Sequence, residues 1–399
     1  MKKLLIVSHA MEIGGAERAL LGLLENIDTK HYHVDLFLLR HEGELLSLIP
    51  PQITLLPEIS QYATLARPVK SILKNGHFCI AAGRLNGKMK AHRFEKKHGY
   101  HESGVALEYS HKYTKRFMPP IAPDVEYDLA ISFLTPHYFV AEKVRAKKKI
   151  AWIHTDYSYV QIDRNSELKM WGRYDHIASI SDDVTTGFVN TFPELREKIV
   201  LIENILPRSL IEKQAVEPIG NELKVDRGQL AVLSAGRFSY QKNFENIPDI
   251  CRRIRAKGCD IKWFIMGYGA GEALIRKQII AAEMQDYVIF IGKKENPYPY
   301  IKACDVYVQP SRYEGKCVAV REAQLLQRPV VITAYPTAGS QLESGVDGII
   351  VPMDNEGCAE GIVSLLRDPQ RIHQISEACA SRDYTNRDEI KKLYELIGS

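Results

Sequence analysis

No stretch of the 399 residues approaches the roughly 18 consecutive apolar residues that a membrane-spanning helix needs; runs such as LLIV (4–7) and GIIVP (348–352) are strand-sized. Cysteine is scarce. The seven residues (79, 251, 259, 304, 317, 358 and 379) are an odd number with no C-x-x-C spacing, which suits reduced thiols and argues against a disulfide framework or structural zinc. No G-x-G-x-x-G with an acid about 20 residues later is present, nor a P-loop, so a nicotinamide dinucleotide or ATP site finds little support. Neither sign of charge dominates: 53 Lys/Arg against 49 Asp/Glu leave a net +4. A composition 45% hydrophobic and 26% charged excludes disordered and collagen-like chains. The opening MKKLLIVSHAMEIGGAER has a short apolar core, broken by Glu12 and Gly14-Gly15 without a small-residue cleavage site. It reads as a first β-strand rather than a signal peptide, and the expectation is a soluble, cytoplasmic protein.

What is present is unevenly placed. Between Arg67 and Phe117 there are twelve Lys/Arg against three acids (Glu95, Glu102, Glu108), a net +9, so the rest of the chain is acidic. Phe78, Phe94, Tyr100, Tyr109, Tyr113 and Phe117 punctuate the same stretch. Basic residues interleaved with aromatics suit an anionic membrane surface or a lipid-phosphate acceptor, and equally a solvated helical face; no nucleic-acid motif accompanies them.

Along the rest of the chain, short β-branched runs alternate with helical periodicity. Strands are expected at 3–8, 34–39, 129–133, 150–154, 177–181 and 199–202, then at 230–235, 261–266, 288–291, 306–309, 330–333 and 348–351. Continuous apolar strands separated by helices, such as 16–27, predict parallel sheets covered on both faces. The fold class is therefore α/β: two doubly wound, Rossmann-like domains facing a cleft. Residues 1–205 form the first, with the basic insertion 67–117. Residues 206–375 form the second, and 376–399 are a C-terminal helix packing back on the first. The polar stretch 207–228, with two prolines, is the expected linker zone.

Ligands of open parallel sheets sit beyond the carboxyl ends of the strands, so the loops there carry the candidate chemistry. After strand one, Gly14-Gly15 opens a helix whose free amides and dipole suit a phosphate; a plain turn has the same residues. In SAGRFSYQKNFENI (234–247), Arg237 and Lys242 bracket a loop before a helix. Two cations are misplaced at a helix N-terminus unless an anion sits there. MGYGAGEA places Gly267, Gly269 and Gly271 in a tight strand–helix turn. In PSRYEGKCVAVREAQL (310–325), Glu314 falls in a loop and Glu322 eight residues later on a helix, with the amides of Gly315, Lys316, Cys317 and Val318 at the helix start. His154 ends the strand KIAWIH, where it could hydrogen-bond a sugar or be a satisfied boundary histidine.

In this order, GGAE, GR-x4-K, FIMGYGAGE and E-x7-E, preceded by PS and followed by EA, resemble glycosyltransferase family 4, of the bacterial surface-polysaccharide type. The resemblance spans most of the chain and is clearest over 229–367. It implies a GT-B fold and a retaining, nucleotide-sugar-dependent transferase. Arg237 and Lys242 would hold the donor diphosphate, Glu314 the transferred sugar and Glu322 the ribose. Gly15 would approach the β-phosphate and His154 the donor sugar. Gly267 would line the donor turn, amides from Lys316 to Val318 would bind sugar hydroxyls and phosphate, and the Ile291–Lys293 loop would hold the base. The expected donor is a UDP-sugar before a GDP-sugar, and the acceptor a glycan or lipid-linked hydroxyl in polysaccharide or capsule biosynthesis. No D-x-D triplet occurs, so neither metal nor other cofactor is expected. Partners would be the donor, the acceptor and an anionic inner membrane face reached through 67–117, with no nucleic acid. Lys316-Cys317 replace the family's common apolar residues, and Arg321 precedes the second glutamate. A nucleotide-sugar 2-epimerase and a catalytically silent partner subunit are the alternatives.

Overall fold

The computed structural model describes residues 1–100 and 103–398. Glu102, counted in the basic segment, and Ser399, the end of the expected C-terminal helix, lie outside the described residues. The chain divides into two compact units, Met1–Ile205 with Arg387–Ser399, and Leu206–Asn386.

The first unit is built on seven parallel strands: β1 (Lys2–Ser8), β2 (Tyr32–Leu38), β3 (Thr54–Leu55), β4 (Tyr127–Ser132), β5 (Ala146–Ile153), β6 (His176–Ser179) and β7 (Ile199–Leu201). Their order is β3-β2-β1-β4-β5-β6-β7. The second unit has six: β8 (Leu230–Arg237), β9 (Ile261–Tyr268), β10 (Val288–Gly292), β11 (Val306–Gln309), β12 (Val330–Thr333) and β13 (Ile349–Val351), in the order β10-β9-β8-β11-β12-β13. All twelve expected strands form; the addition is β3, two residues at a sheet edge. Each sheet reverses direction of growth once, between β1 and β4 and between β8 and β11. At such a switch point the helices leave to opposite faces and a crevice opens at the carboxyl ends. Central strands such as β11 and β12 are buried throughout, because helices cover both faces of a parallel sheet.

Two expectations are corrected. The stretch 207–228 is not simply a linker: Arg208–Gln214 is a helix of the second unit, with Ile211 in its core. Nor is 376–399 one helix. Pro369–Ser381 stays in the second unit, where Ile375 and Cys379 are buried in its core. Only the last segment joins the first unit, through the helix Ile390–Gly398. There the Tyr394 ring stacks on Tyr32 at 4.7 Å and its hydroxyl accepts from the Asp28 amide at 2.7 Å.

The basic segment is a helical hairpin, Phe78–His98 against Val105–Thr114. Gly83 and Gly87, one turn apart, allow the close approach: a Cβ at either would meet the carbonyl of Tyr113 or Tyr109 at 2.7 Å. Most of its aromatics face inward rather than outward. Phe94, Tyr100, Tyr109 and Tyr113 pack with Ala91 and Val105, and Lys90 and Lys112 lie 4.8 Å over the rings of Tyr113 and Tyr109. The exposed apolar residues on the long helix are instead Phe78, Leu85 and Met89, beside exposed Lys88, Lys90, Arg93, Lys96 and Lys97.

Candidate functional site

In the second unit the loops after β8 and β11 meet at the switch point. The Lys242 ammonium donates to Glu314 Oε1 at 2.6 Å and lies 3.8 Å from Cys317 Sγ. The glutamate is held from several sides. Gln241 Nε2 donates to its Oε2 at 3.1 Å, Ser311 Oγ to Oε1 at 2.5 Å, and Thr337 Oγ1 to its backbone carbonyl at 2.9 Å. Behind Ser311 the relay continues to Gln309 Nε2 (2.9 Å), whose carbonyl oxygen accepts from Tyr307 OH (2.9 Å). A carboxylate only 5% exposed therefore keeps one rotamer. Burial opposes the Lys242 charge, but the partners it faces outweigh this and hold the ammonium above its usual range. Burial likewise lifts the Cys317 thiol, to about 11, so at neutral pH it is uncharged and the counter-charge to Lys242 is that of Glu314.

This changes the electrostatic argument for the loop. Lys242 is not a cation waiting for an external anion, since the chain supplies one. It also precedes the helix Ile247–Ala256 by a short irregular turn rather than opening it. Arg237 is different. It closes β8, is exposed, and pairs with no carboxylate among the described residues.

At the start of the helix Val318–Leu325, the Cys317 amide is already engaged, donating to Gln341 Oε1 at 2.8 Å. Of the amides expected to serve a ligand, this one is occupied by the protein. Half-buried Gly315 leads into Lys316, whose ammonium donates to the Ser340 carbonyl at 3.1 Å, and half-buried Val318 begins the helix. Glu322, one turn further, is 3% exposed and accepts from Tyr298 OH at 3.0 Å.

The glycine turn answers to backbone packing. Gly267 pairs with Gly236 across β9 and β8 at φ +142°, and a Cβ there would come within 1.9 Å of the Gly236 carbonyl oxygen. This fixes the ends of both strands, and with them Arg237. Ile291 lies half-buried on β10, and exposed Lys293 follows it, its ammonium 5.1 Å from the centre of the Tyr268 ring.

Gly15 and His154 belong to the first unit. Gly15 opens the helix Gly15–Asn26, where the residue in position to complement the dipole is the chain's own Glu17. A Cβ on neighbouring Gly14 would lie 2.1 Å from Glu17 Oε2. His154 follows β5, its ring 4.6 Å from that of Phe133; burial lowers its pKa to about 4, so the imidazole is neutral at physiological pH.

Gln241, Ser311, Thr337 and Gln341 were not anticipated as site residues. Ser311 lies in the PS pair that precedes the motif, and Gln241 adjoins Lys242, but nothing in the local sequence marks Thr337 or Gln341.

Residues 217–382, which contain this whole arrangement, match the family described as "Glycosyl transferases group 1". The match covers about two fifths of the chain. Among curated relatives it is 27% identical over 167 residues to the amylovoran biosynthesis glycosyltransferase AmsK of Erwinia amylovora, covering 39% of this chain and 40% of that one. To the N-acetylgalactosamine-N,N'-diacetylbacillosaminyl-diphospho-undecaprenol 4-alpha-N-acetylgalactosaminyltransferase of Campylobacter jejuni it is 25% identical over 201 residues, 50% and 53% of the two chains. The alignment with AmsK thus spans about two fifths of the relative's length. Among solved structures, HepE of Anabaena in complex with UDP and glucose superposes over 100% of both chains, with a TM-score of 0.69 and 16% identity. Sucrose-phosphate synthase from Thermosynechococcus elongatus superposes with a TM-score of 0.59 and 17% identity, over 100% of this chain and 96% of that one. The family match covers the residues that build the second sheet, the GT-B class of α/β fold accounts for both sheets, and the Lys242–Glu314 pair lies inside the matched region.

Proposed function

We propose that the chain is a retaining glycosyltransferase of bacterial polysaccharide biosynthesis. It moves a sugar from a nucleotide diphosphate sugar, a UDP-sugar in preference to a GDP-sugar, to a hydroxyl of a glycan or lipid-linked acceptor. The observation that carries this reading is the switch-point loop pair. A buried Glu314 is neutralised by Lys242, and an unneutralised Arg237 stands at the end of the same strand–loop segment. A neutral pair with one cation to spare suits a ligand that is anionic at one end and hydroxylated at the other.

Breaking the anomeric C–O bond gives the sugar oxocarbenium character and leaves the bonding electrons on the diphosphate. Arg237 offers parallel N–H donors matched to phosphate oxygens; Lys242, its charge balanced by Glu314, would add a hydrogen-bond donor to the diphosphate rather than a net charge. Both interactions strengthen as charge builds on the leaving group, which is what lowers a barrier rather than merely tightening binding. Glu314, fixed by Gln241 and Ser311, presents a carboxylate to the sugar. In a front-face step the acceptor oxygen attacks from the side the diphosphate leaves, and its proton passes to the departing phosphate oxygen. Arg237 supplies the diphosphate charge compensation in this reading, so a divalent metal is not required. His154, neutral, would act as a hydrogen-bonding group toward the donor sugar. Gly15, the Ile291–Lys293 loop and Glu322 would contact the β-phosphate, base and ribose.

The exposed stripe Phe78, Leu85, Met89, Arg93 and Lys96 on the long hairpin helix supports peripheral contact with an anionic membrane surface, where a lipid-linked acceptor would be found. The test of the core reading is a thermal-shift panel of nucleotide sugars without added metal. A donor at about 100 times its Kd stabilises by about 2.7 kcal/mol. A response to one UDP-sugar that is lost in Arg237→Ala is expected; silence toward every nucleotide and nucleotide sugar would overturn the proposal.

A further inference from the structure

One run of chain, 291–300, carries both the loop proposed to hold the base and a contact to the carboxylate proposed to meet the ribose. The register of β10 on β9 slips at Ile291, and Gly292 turns the backbone at φ +74°. The loop then enters the helix Tyr298–Ala303, whose first residue is fully buried and donates its hydroxyl to Glu322 Oε1 at 3.0 Å. Asn296 fixes that entry. Its Oδ1 accepts from the Tyr298 amide at 3.1 Å, while its Nδ2 donates to the Gln214 carbonyl (2.9 Å) and to Glu217 Oε2 (2.8 Å). Tyr300, on the same helix, reaches a different partner: its hydroxyl donates to Glu222 Oε1 at 3.0 Å, beside the Lys294 ammonium at 3.1 Å. A helix of six residues is marginal by itself, so these bonds set where the Tyr298 ring stands.

Glu322 has need of such a partner. At 3% exposure it has given up most of its hydration, and a buried carboxylate is costly unless hydrogen-bonded. The last torsion of a glutamate is also soft, so packing alone leaves the plane of the carboxyl group free to rotate. Hydroxyl hydrogens approach such an oxygen near that plane, and a rotated carboxylate would miss a ribose hydroxyl placed for the unrotated one. Donation from a phenol on a fully packed ring compensates the buried oxygen and fixes the plane together.

We propose that Tyr298 is a positioning residue for nucleoside recognition: acting through Glu322, it sets how strongly the site prefers a ribose to a deoxyribose. This rests on the reading in which Glu322 meets the ribose, and the test separates the two.

Calorimetric titration of the full chain with UDP, 2′-deoxy-UDP and 3′-deoxy-UDP gives the ratio of deoxy to ribo Kd. Wild type is expected to favour UDP over at least one analogue by about tenfold or more, the cost of leaving a buried charged acceptor without its hydroxyl. Tyr298→Phe keeps the ring and should bring that ratio most of the way to one, as should Glu322→Gln. Added to Glu322→Gln, it should change the ratio no further. Tyr300→Phe removes a hydroxyl from the same helix without touching Glu322 and should leave the ratio as in wild type. Melting curves establish that each variant is folded. A ratio kept in Tyr298→Phe but lost in Glu322→Gln would overturn the inference and leave the ribose contact standing. An equal fall in Tyr300→Phe would overturn it too, making Tyr298 a structural residue only. UDP binding without discrimination in wild type would overturn the ribose role of Glu322 and this inference with it; no UDP binding at all would overturn the donor reading beneath both.

Discussion

Lys242 and Glu314 stand 72 residues apart in sequence and 2.6 Å apart in space, brought together because β8 and β11 are neighbours at the point where the sheet changes its direction of growth. Each is largely buried, with side-chain exposures of 16% and 6%, so neither charge is affordable without the other.

Lys242→Ala is therefore expected to cost more than binding. Leaving a buried carboxylate without its partner costs about 3–5 kcal/mol, and much of that should return in the double variant Lys242→Ala, Glu314→Gln. Urea unfolding of the two singles and the double measures the coupling. Additive effects would mean that the pair is not an energetic unit.

Arg237→Ala should behave in the opposite way. The side chain is exposed and paired with no carboxylate among the described residues, so the melting temperature of the free protein is expected to stay within about 1 °C, since exposed substitutions usually fall within ±0.5 kcal/mol. Turnover with a nucleotide-sugar donor should fall by roughly 10²–10³, the cost of removing one preorganised donor to developing charge. A large stability loss with unchanged turnover would reverse its assignment.

Gly267→Ala and Gly258→Ala separate steric demand from backbone conformation. Both glycines have positive φ, +142° and +85°, but an added Cβ meets the Gly236 oxygen at 1.9 Å in the first and nothing within 4 Å in the second. Gly258→Ala should cost about 1–2 kcal/mol, the left-handed penalty alone. Gly267→Ala should cost at least 4 kcal/mol and displace the β8 terminus. Equal melting temperatures for the two variants would be incompatible with this account.

Glu167 gives a pH dependence. Burial raises its pKa from 4.5 to about 7, outweighing the hydrogen bonds from Tyr157 OH (2.7 Å) and Trp171 Nε1 (3.3 Å). The folded state thus holds a proton that the unfolded chain releases near pH 4.5. Its full stability is present below that pH and is lost progressively as pH rises through about 7. Glu167→Gln should therefore gain stability relative to wild type between pH 4 and pH 8, by on the order of 2–3 kcal/mol. Denaturant midpoints at the two pH values measure it, and a pH-independent difference would exclude a raised pKa.

Membrane contact is tested by neutralising Lys88, Lys90, Arg93, Lys96 and Lys97 together. At about 1 kcal/mol per basic residue near an anionic surface, affinity for phosphatidylserine vesicles should drop by several orders of magnitude and the residual binding should lose its salt dependence. Unchanged co-sedimentation would sink the idea.

How much of this was legible in the sequence depended on whether the information was local. A strand buried on both faces, such as VYVQ or VVIT, is apolar without interruption and announces itself; Thr54–Leu55, a two-residue edge strand, has too little pattern to do so. Arg237, Lys242 and Glu314 were visible as residues, but not the closure of Lys242 onto Glu314, which is a property of strand order. Gln341, which occupies the Cys317 amide, lies 24 residues away and carries no sequence signal. The aromatics of the basic hairpin misled for a similar reason: composition shows that Tyr109 and Tyr113 stand among lysines, and only the fold shows that the lysines lie over their rings.

The return of residues 387–398 to the first sheet has a consequence for biosynthesis. The second unit is an insertion in the first, complete by Asn386, whereas the first still lacks the segment that buries Leu393 and stacks Tyr394 on Tyr32. As the chain leaves the ribosome, the half that is made first is the half that is finished last, and its unfilled seam must stay soluble for the time needed to translate an entire domain.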